Sequence, residues 1–167
     1  MIDLELILAK KEDLPRISKL ANLIWPDTYR EILSSDQMDY MLDMMYSVSA
    51  MSQQLDKGHL FYIVTSEGKD IGFFGLQRGF PAKEDLRIHK IYLLPELQGH
   101  GIGVWMMNQI KGLASSLKLT SLHLNVNIYN KAQTFYKKYG FSVVKEEKID
   151  IGSGFWMDDV VMKFKIN

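Results

Sequence analysis

A chain of 167 residues without a cysteine has no route to disulfides, thiolate nucleophiles or cysteine-ligated metals, and at that length a single domain, residues 1–167, buries enough apolar surface to fold without them. Twenty Lys and Arg balance twenty Asp and Glu, so no net field draws the chain to nucleic acid or an anionic membrane, and neither is an expected partner. Residues 1–10 alternate acidic and apolar side chains instead of joining a basic start to an apolar stretch, and no run reaches membrane-spanning length, which points to a cytoplasmic protein.

Ile2, Leu4, Leu6 and Leu8 alternate with Asp3 and Glu5, a period of two that predicts an opening strand. From Asp13, a candidate cap with Pro15 tolerated in the first turn, Leu14, Ile17, Ala21 and Ile24 recur at helical spacing and predict a helix to about Trp25. Ser34 and Ser35 before Met38, Met41, Leu42 and Met45 signal a second helix, with a continuation through Leu55 to a stop at Gly58. Residues 59–66 and 71–78 are β-branched and aromatic runs joined by Glu67-Gly68-Lys69-Asp70, a hairpin signature. After a polar loop, residues 88–94 predict a strand ended by Pro95, and residues 104–117 a helix with Met107, Ile110, Ala114 and Leu117 near helical period. Residues 119–126 return to strand period, which makes a strand-helix-strand crossover with parallel strands. Asn130 then caps a helix whose Ala132, Phe135, Tyr136 and Tyr139 fall on one stripe, and Gly140 ends it. Residues 141–150 and 157–166 flank Gly152, Ser153 and Gly154 as a closing hairpin. The expected class is α+β: a mixed, mostly antiparallel sheet flanked by helices, with one parallel unit.

Gln98-Gly99-His100-Gly101-Ile102-Gly103 stands where the fourth predicted strand has ended and a helix begins. Glycines let the backbone bend tightly and approach a ligand, while the unpaired amides of the first helical turn point at it with the positive end of the dipole, so a diphosphate is the natural guest. A dinucleotide fingerprint beginning at Gly99 requires glycine or alanine where Val104 stands, and no Gly-Lys-Ser or Gly-Lys-Thr completes a P-loop.

Gln98, Gly101 and Gly103 match the acetyl-CoA motif of the GNAT superfamily of N-acetyltransferases, which this sequence resembles. A second motif is matched by Asn125-Val126-Asn127-Ile128-Tyr129-Asn130-Lys131-Ala132-Gln133-Thr134-Phe135-Tyr136 with Gly140-Phe141, in the family's order and separation. The resemblance covers the whole predicted order of elements and implies a GNAT-like fold. A weaker one, carried by residues 25–46 and 151–159, is similar to bacterial spermine/spermidine acetyltransferases.

The resemblance implies acetyl-CoA as co-substrate, with the amides of Gln98, Gly99, His100, Gly101, Ile102 and Gly103 around its pyrophosphate. It also implies that the backbone of Ile91, Tyr92 and Leu93 pairs with the pantetheine arm as an added strand, the amide of Leu93 or a neighbour polarising the thioester carbonyl. Asn130 is open to two roles, helix cap and pantetheine contact. Tyr136 belongs by spacing to an apolar stripe, and by resemblance it lies beside the CoA sulfur as general acid, a phenol of pKa about 10 protonating a thiolate of about 8.5. Lys138, with Lys131 and Lys137 beside it, is placed to meet the 3′-phosphate.

The acceptor must lose a proton: an alkylamine of pKa about 10.4 costs roughly 4.6 kcal/mol to deprotonate at pH 7. His89, Glu84, Asp85, Asp158 and Asp159 all remain open as base or water relay. The four histidines lack metal-ligand spacing, so no metal is expected. Asp27, Glu31, Asp36, Asp39, Asp43 and Asp56 are met by only Arg30 and Lys57 where the family builds its acceptor wall, and Trp25 and Tyr29 offer aromatic faces there. A small-molecule acceptor, a polyamine or other small amine, suits that charge; a peptide amine, or a CoA-binding sensor without turnover, stands as the alternative. Met38, Met41, Met44 and Met45 suit core packing, an adaptable pocket or a homodimer surface.

Overall fold

The computed structural model describes residues 2–167. Seven strands, β1 (Leu4–Leu8), β2 (Leu60–Ser66), β3 (Lys69–Arg78), β4 (Asp85–Leu93), β5 (Ser121–Asn127), β6 (Ser142–Gly152) and β7 (Phe155–Lys165), form one mixed sheet in the order β1-β2-β3-β4-β5-β7-β6. Five α-helices accompany them: α1 (Leu14–Tyr29), α2 (Ser35–Tyr46), α3 (Val48–Asp56), α4 (Ile102–Ser116) and α5 (Ala132–Tyr139). Contacts divide the chain into two compact units, Met1–Gln77 with Lys90–Met106, and Arg78–His89 with Met107–Asn167.

In the first unit β1, β2 and β3 are antiparallel neighbours. The β2–β3 turn is closed by Glu67 (φ 50°) and Gly68 (φ 77°), two consecutive left-handed residues that match the twist of a two-residue hairpin. The α1 stripe of Leu14, Ile17, Ala21, Ile24 and Trp25 is buried as its spacing predicts, but the helix outlasts Trp25 and ends at Tyr29. Pro26 is tolerated because it costs one backbone bond close to the end, where Arg30 N closes the last turn on the Pro26 carbonyl at 3.1 Å.

The expected single helix through Leu55 is instead two. Ser47 adopts an extended conformation (φ −62°, ψ 149°) and its hydroxyl accepts from Ala50 N at 3.1 Å, starting α3 afresh; Ser34 does the same for α2 by accepting from Gln37 N. Helical spacing of apolar residues continues across Ser47, so period alone hides the break.

In the second unit β4 and β5 pair in parallel from Asp85↔Ser121 to Ile88↔Leu124, with α4 as the connection. β5 pairs β7 and β7 pairs β6, both antiparallel. Asn130 reaches its expected partner from one position upstream of the cap: its Oδ1 accepts from Ala132 N at 2.9 Å, while Lys131 occupies the cap position. Gly140 ends α5 at φ 126°, and a β-carbon there would stand 2.8 Å from the Phe164 ring, so glycine is required both by conformation and by space. The core of this unit is Leu86, Ile88, Met107, Ile110, Leu122, Leu124 and Met162.

Candidate active site

Residues 91–106 carry the first half of the candidate site. β4 ends at Leu93, Leu94 N donates to the Ile71 carbonyl at 2.9 Å, and a 3-10 turn at Pro95–Leu97 brings the chain to Gln98, whose Nε2 donates to the Leu93 carbonyl at 3.2 Å. That side-chain bond ties the start of the glycine turn to the strand before it. Gly99 and Gly101 both lie at φ 83°, a conformation that favours glycine, and a β-carbon on either would meet nothing within 4 Å. Both glycines, Gln98 and His100 are exposed, whereas Ile102 is buried and anchors the helix start. α4 opens with no acidic residue in its first turn, so no side-chain charge there offsets its dipole. The turn leaves open space above both glycines.

The strand before it is held by close backbone approach. A β-carbon at Gly72 would stand 2.7 Å from the Tyr92 carbonyl oxygen and 3.4 Å from Leu93 Cδ1 and Met106 Cε. Tyr92 also contributes its ring to a cluster that sequence reading placed only in part. Trp25 lies 4.5 Å from Tyr29, 5.4 Å from Tyr46 and 6.0 Å from Tyr92 between ring centroids; Phe73 packs on Tyr46 and Tyr92; and the Tyr29 and Tyr92 hydroxyls share a hydrogen bond of 2.7 Å. Trp25 and Tyr46 are each 1% exposed, so Trp25 is a core ring and presents no open face. Burial pushes the Tyr46 phenol well above its usual range, and the nearby Tyr29 hydroxyl adds to the shift.

Beside this cluster α1 and α2 border an open pocket of about 310 Å³ lined by Ser18, Asn22, Asp39, Leu42, Asp43, Tyr46 and Ser47. Of the acidic residues in this stretch, Asp56 is paired with Lys11 at 2.9 Å. Met38 and Met41 are buried and Met44 and Met45 half-buried, the arrangement of core-facing methionines.

The second unit carries His89, Asn130, Tyr136 and Lys138. Tyr136 is buried on α5, its ring 5.5 Å from Phe135 and 5.8 Å from Phe141. Lys138 is exposed in the last turn of the same helix. His89 is exposed on β4 with its ring 6.0 Å from Phe80. Asp85, one of the loop carboxylates considered as a relay, is instead enclosed at the start of β4: it accepts from the Ser121 hydroxyl and from Ala82 N at 3.0 Å, with His123 Nε2 at 3.3 Å. Asp159 is 3% exposed on β7 and accepts from Asn125 Nδ2 at 3.2 Å, while Glu147 accepts from the same amide at 3.0 Å. Burial raises the Asp159 pKa, whereas the Asn125 bond lowers that of Glu147.

Sequence reading missed Lys90, Gln54 and Tyr46. Lys90 is buried and bonded to Gln54 with its amine against the Tyr46 ring. The available signal was the period of β4, in which Lys90 shares a face with Leu86, Ile88 and Tyr92.

A family model described as "Acetyltransferase (GNAT) domain" matches residues 30–158. The chain belongs to the GNAT acetyltransferase family. An uncharacterized N-acetyltransferase of Bacillus subtilis, YuaI, is 28% identical over 86% of the chain and 83% of its own length. A Mycobacterium tuberculosis relative, also an uncharacterized N-acetyltransferase, is 30% identical over 98 residues, 58% of this chain; the match spans 62% of that relative's length. The fold is shared with the PaiA N-acetyltransferase of Thermoplasma acidophilum, solved in complex with coenzyme A, at a TM-score of 0.81 and 22% identity over 98% of this chain and 99% of that one. No helix among the described residues is long and apolar enough to cross a membrane.

Proposed function

We propose that the protein transfers an acetyl group from acetyl-CoA to a primary amine by direct attack. The observation that carries this is the turn at residues 98–103. Two left-handed glycines with nothing above them, followed by the uncompensated start of a 15-residue helix, form an anion cradle of main-chain amides. GNAT membership supports reading that anion as the CoA pyrophosphate. The main chain of Ile91, Tyr92 and Leu93 pairs with the pantetheine arm as an added strand, fixing the thioester in register. Asn130 contacts the arm and Lys138 the 3′-phosphate.

In the reaction the neutral amine nitrogen attacks the thioester carbonyl carbon. The C–N bond forms, the C–S bond breaks, and the thiolate takes its proton from the Tyr136 hydroxyl. The acceptor's own proton leaves through water, with the exposed His89 as the side chain that receives it. The acceptor is a polyamine or comparable small amine: α2 presents exposed Asp36, Asp39 and Asp43, and the Tyr29 and Tyr92 hydroxyls lie within the adjoining aromatic cluster. Homodimerisation is a separate question that the oligomeric state in solution answers.

Release of free thiol from acetyl-CoA over a panel of polyamines, amino acids and peptide amino termini tests the proposal. Turnover of a polyamine supports it in full, and turnover of peptides alone overturns the acceptor class. Calorimetric CoA binding without turnover of any amine makes the protein a sensor.

A further inference from the structure

Lys90 occupies a place where a sheet ordinarily carries an apolar residue. It is 6% exposed, and its stem passes Gly75 of β3, where a β-carbon would stand 3.5 Å from Lys90 Cδ and 2.9 Å from the Phe61 ring. The amine ends 5.1 Å from the Tyr46 ring centre and 5.0 Å from that of Phe61, and it donates to Gln54 Oε1. Gln54 Nε2 in turn donates to the Met45 carbonyl at 3.2 Å. One side chain of β4 therefore holds both α3, through Gln54, and the last turn of α2, through the Tyr46 ring and the bond from Gln54 to Met45.

The groups facing this amine are Tyr46 from α2, Gln54 from α3, and His59 just before β2. His59 is itself lowered by burial and then by the nearby charges of Lys90 and Lys57. Burial pulls the Lys90 amine down to about 7. A neutral amine is satisfied by one amide oxygen and two ring faces. An ammonium brings three N–H groups and a full charge, for which ring faces are weak acceptors.

We propose that Lys90 is a positioning residue for the acceptor: as a neutral amine it holds the α2–α3 junction in the observed place, and as an ammonium it displaces that junction, so acceptor affinity follows its protonation. The proposal rests on the acceptor reading above. The transmission is direct, because Tyr46 and Ser47 form the junction, both line the pocket that holds Asp39 and Asp43, and Tyr46 packs on Trp25 and Tyr92.

Steady-state kinetics of the full chain with spermidine and acetyl-CoA between pH 6 and 9 test it. Deprotonation of spermidine itself affects every variant alike, so the comparison is between variants. Wild type is expected to show a spermidine KM about tenfold higher at pH 6 than at pH 8 relative to Lys90→Met, with acetyl-CoA KM and kcat at pH 8 within twofold between the two. Gln54→Leu, which keeps the amine and cuts its link to α2, is expected to lose the same KM step. Identical KM profiles in wild type, Lys90→Met and Gln54→Leu overturn the proposal. NMR of labelled tyrosine rings and lysine Cε on the CoA-bound protein supplies a readout without the acceptor. Tyr46 shifting in step with a lysine that titrates near neutrality, in wild type and not in Lys90→Met, supports the latch even if spermidine is not a substrate, in which case the acceptor reading alone fails. A Tyr46 ring indifferent to pH overturns the latch.

Discussion

At residues 98–103 the chain offers solvent its own backbone, two glycines with open space above them and a helix start with no acidic side chain. At Trp25, Tyr29, Tyr46, Phe73 and Tyr92 it closes five rings on one another until Trp25 and Tyr46 are almost sealed. Both regions belong to the same compact unit. On the proposed reading the donor is recognised at this turn by main-chain groups that exist whatever the side chains are, so its cost of construction is conformational. On the same reading the acceptor meets side chains that also hold the unit together, so that chemistry is not altered without touching stability. Function and fold are separable at the turn and joined at the cluster.

Trp25→Ala is the strongest way to break this contrast. Removing a fully packed indole is expected to cost about 4 kcal/mol of unfolding free energy, measured by denaturant titration. A loss under about 1 kcal/mol, with acceptor binding altered, makes the cluster a binding surface rather than a core.

Lys90→Met is expected to stabilise the protein by on the order of 3 kcal/mol at pH 7, since it removes a buried amine whose pKa is drawn from 10.5 to about 7. Between those values the unfolded chain binds more protons than the folded one. Stability of the wild type therefore rises as pH climbs from 7 towards 10, and below 7 the penalty is full and constant. Chemical denaturation of both proteins at pH 6, 8 and 10 checks this; equal slopes in the two remove Lys90 as the titrating group.

Tyr136→Phe is expected to lower kcat about a hundredfold with CoA affinity within twofold, because only the proton donor is lost. Unchanged turnover makes the phenol part of the α5 packing and nothing more. Gly101→Val sharpens the contrast from the other side. The new side chain has room but must adopt φ near 83°, so acetyl-CoA KM is expected to rise about tenfold while the melting temperature stays within a few degrees. Tyr29→Phe, which deletes only the hydroxyl bonded to Tyr92, should cost about 1 kcal/mol and shift acceptor KM without changing that of acetyl-CoA.

Much of this was legible in the sequence, for reasons that differ by element. The β2–β3 turn, the end of α5 at Gly140 and the parallel crossover follow from local rules of conformation and period, and each stands where those rules put it. The conformation of the glycine turn was legible for the same reason, since left-handed backbone announces itself through the residues that permit it. The break at Ser47 was not, because a capping serine inside a continuing apolar stripe looks like an exposed helical residue until its hydroxyl is seen to bond Ala50 N. Lys90 was hidden more deeply. Its place on β4 follows from period, yet its partners come from residues 46, 54 and 61, and such long-range company leaves no trace in spacing. Trp25 and Tyr29 were correctly grouped with one another, but that Trp25 faces inward depends on Tyr46, Phe73 and Tyr92 arriving from elsewhere in the chain.

Gly72, whose missing side chain leaves room for the Tyr92 carbonyl, has a bearing on how the enzyme can be re-engineered. Tyr92 faces two ways: its main chain lies in the segment proposed for the donor arm, and its hydroxyl is bonded to that of Tyr29 in the cluster proposed to adjoin the acceptor. A single methyl at position 72 would press on that carbonyl from behind. Any redesign of acceptor choice that passes through Tyr92 is thereby also a redesign of donor alignment, and substitutions at 72 and 92 should be selected as a pair.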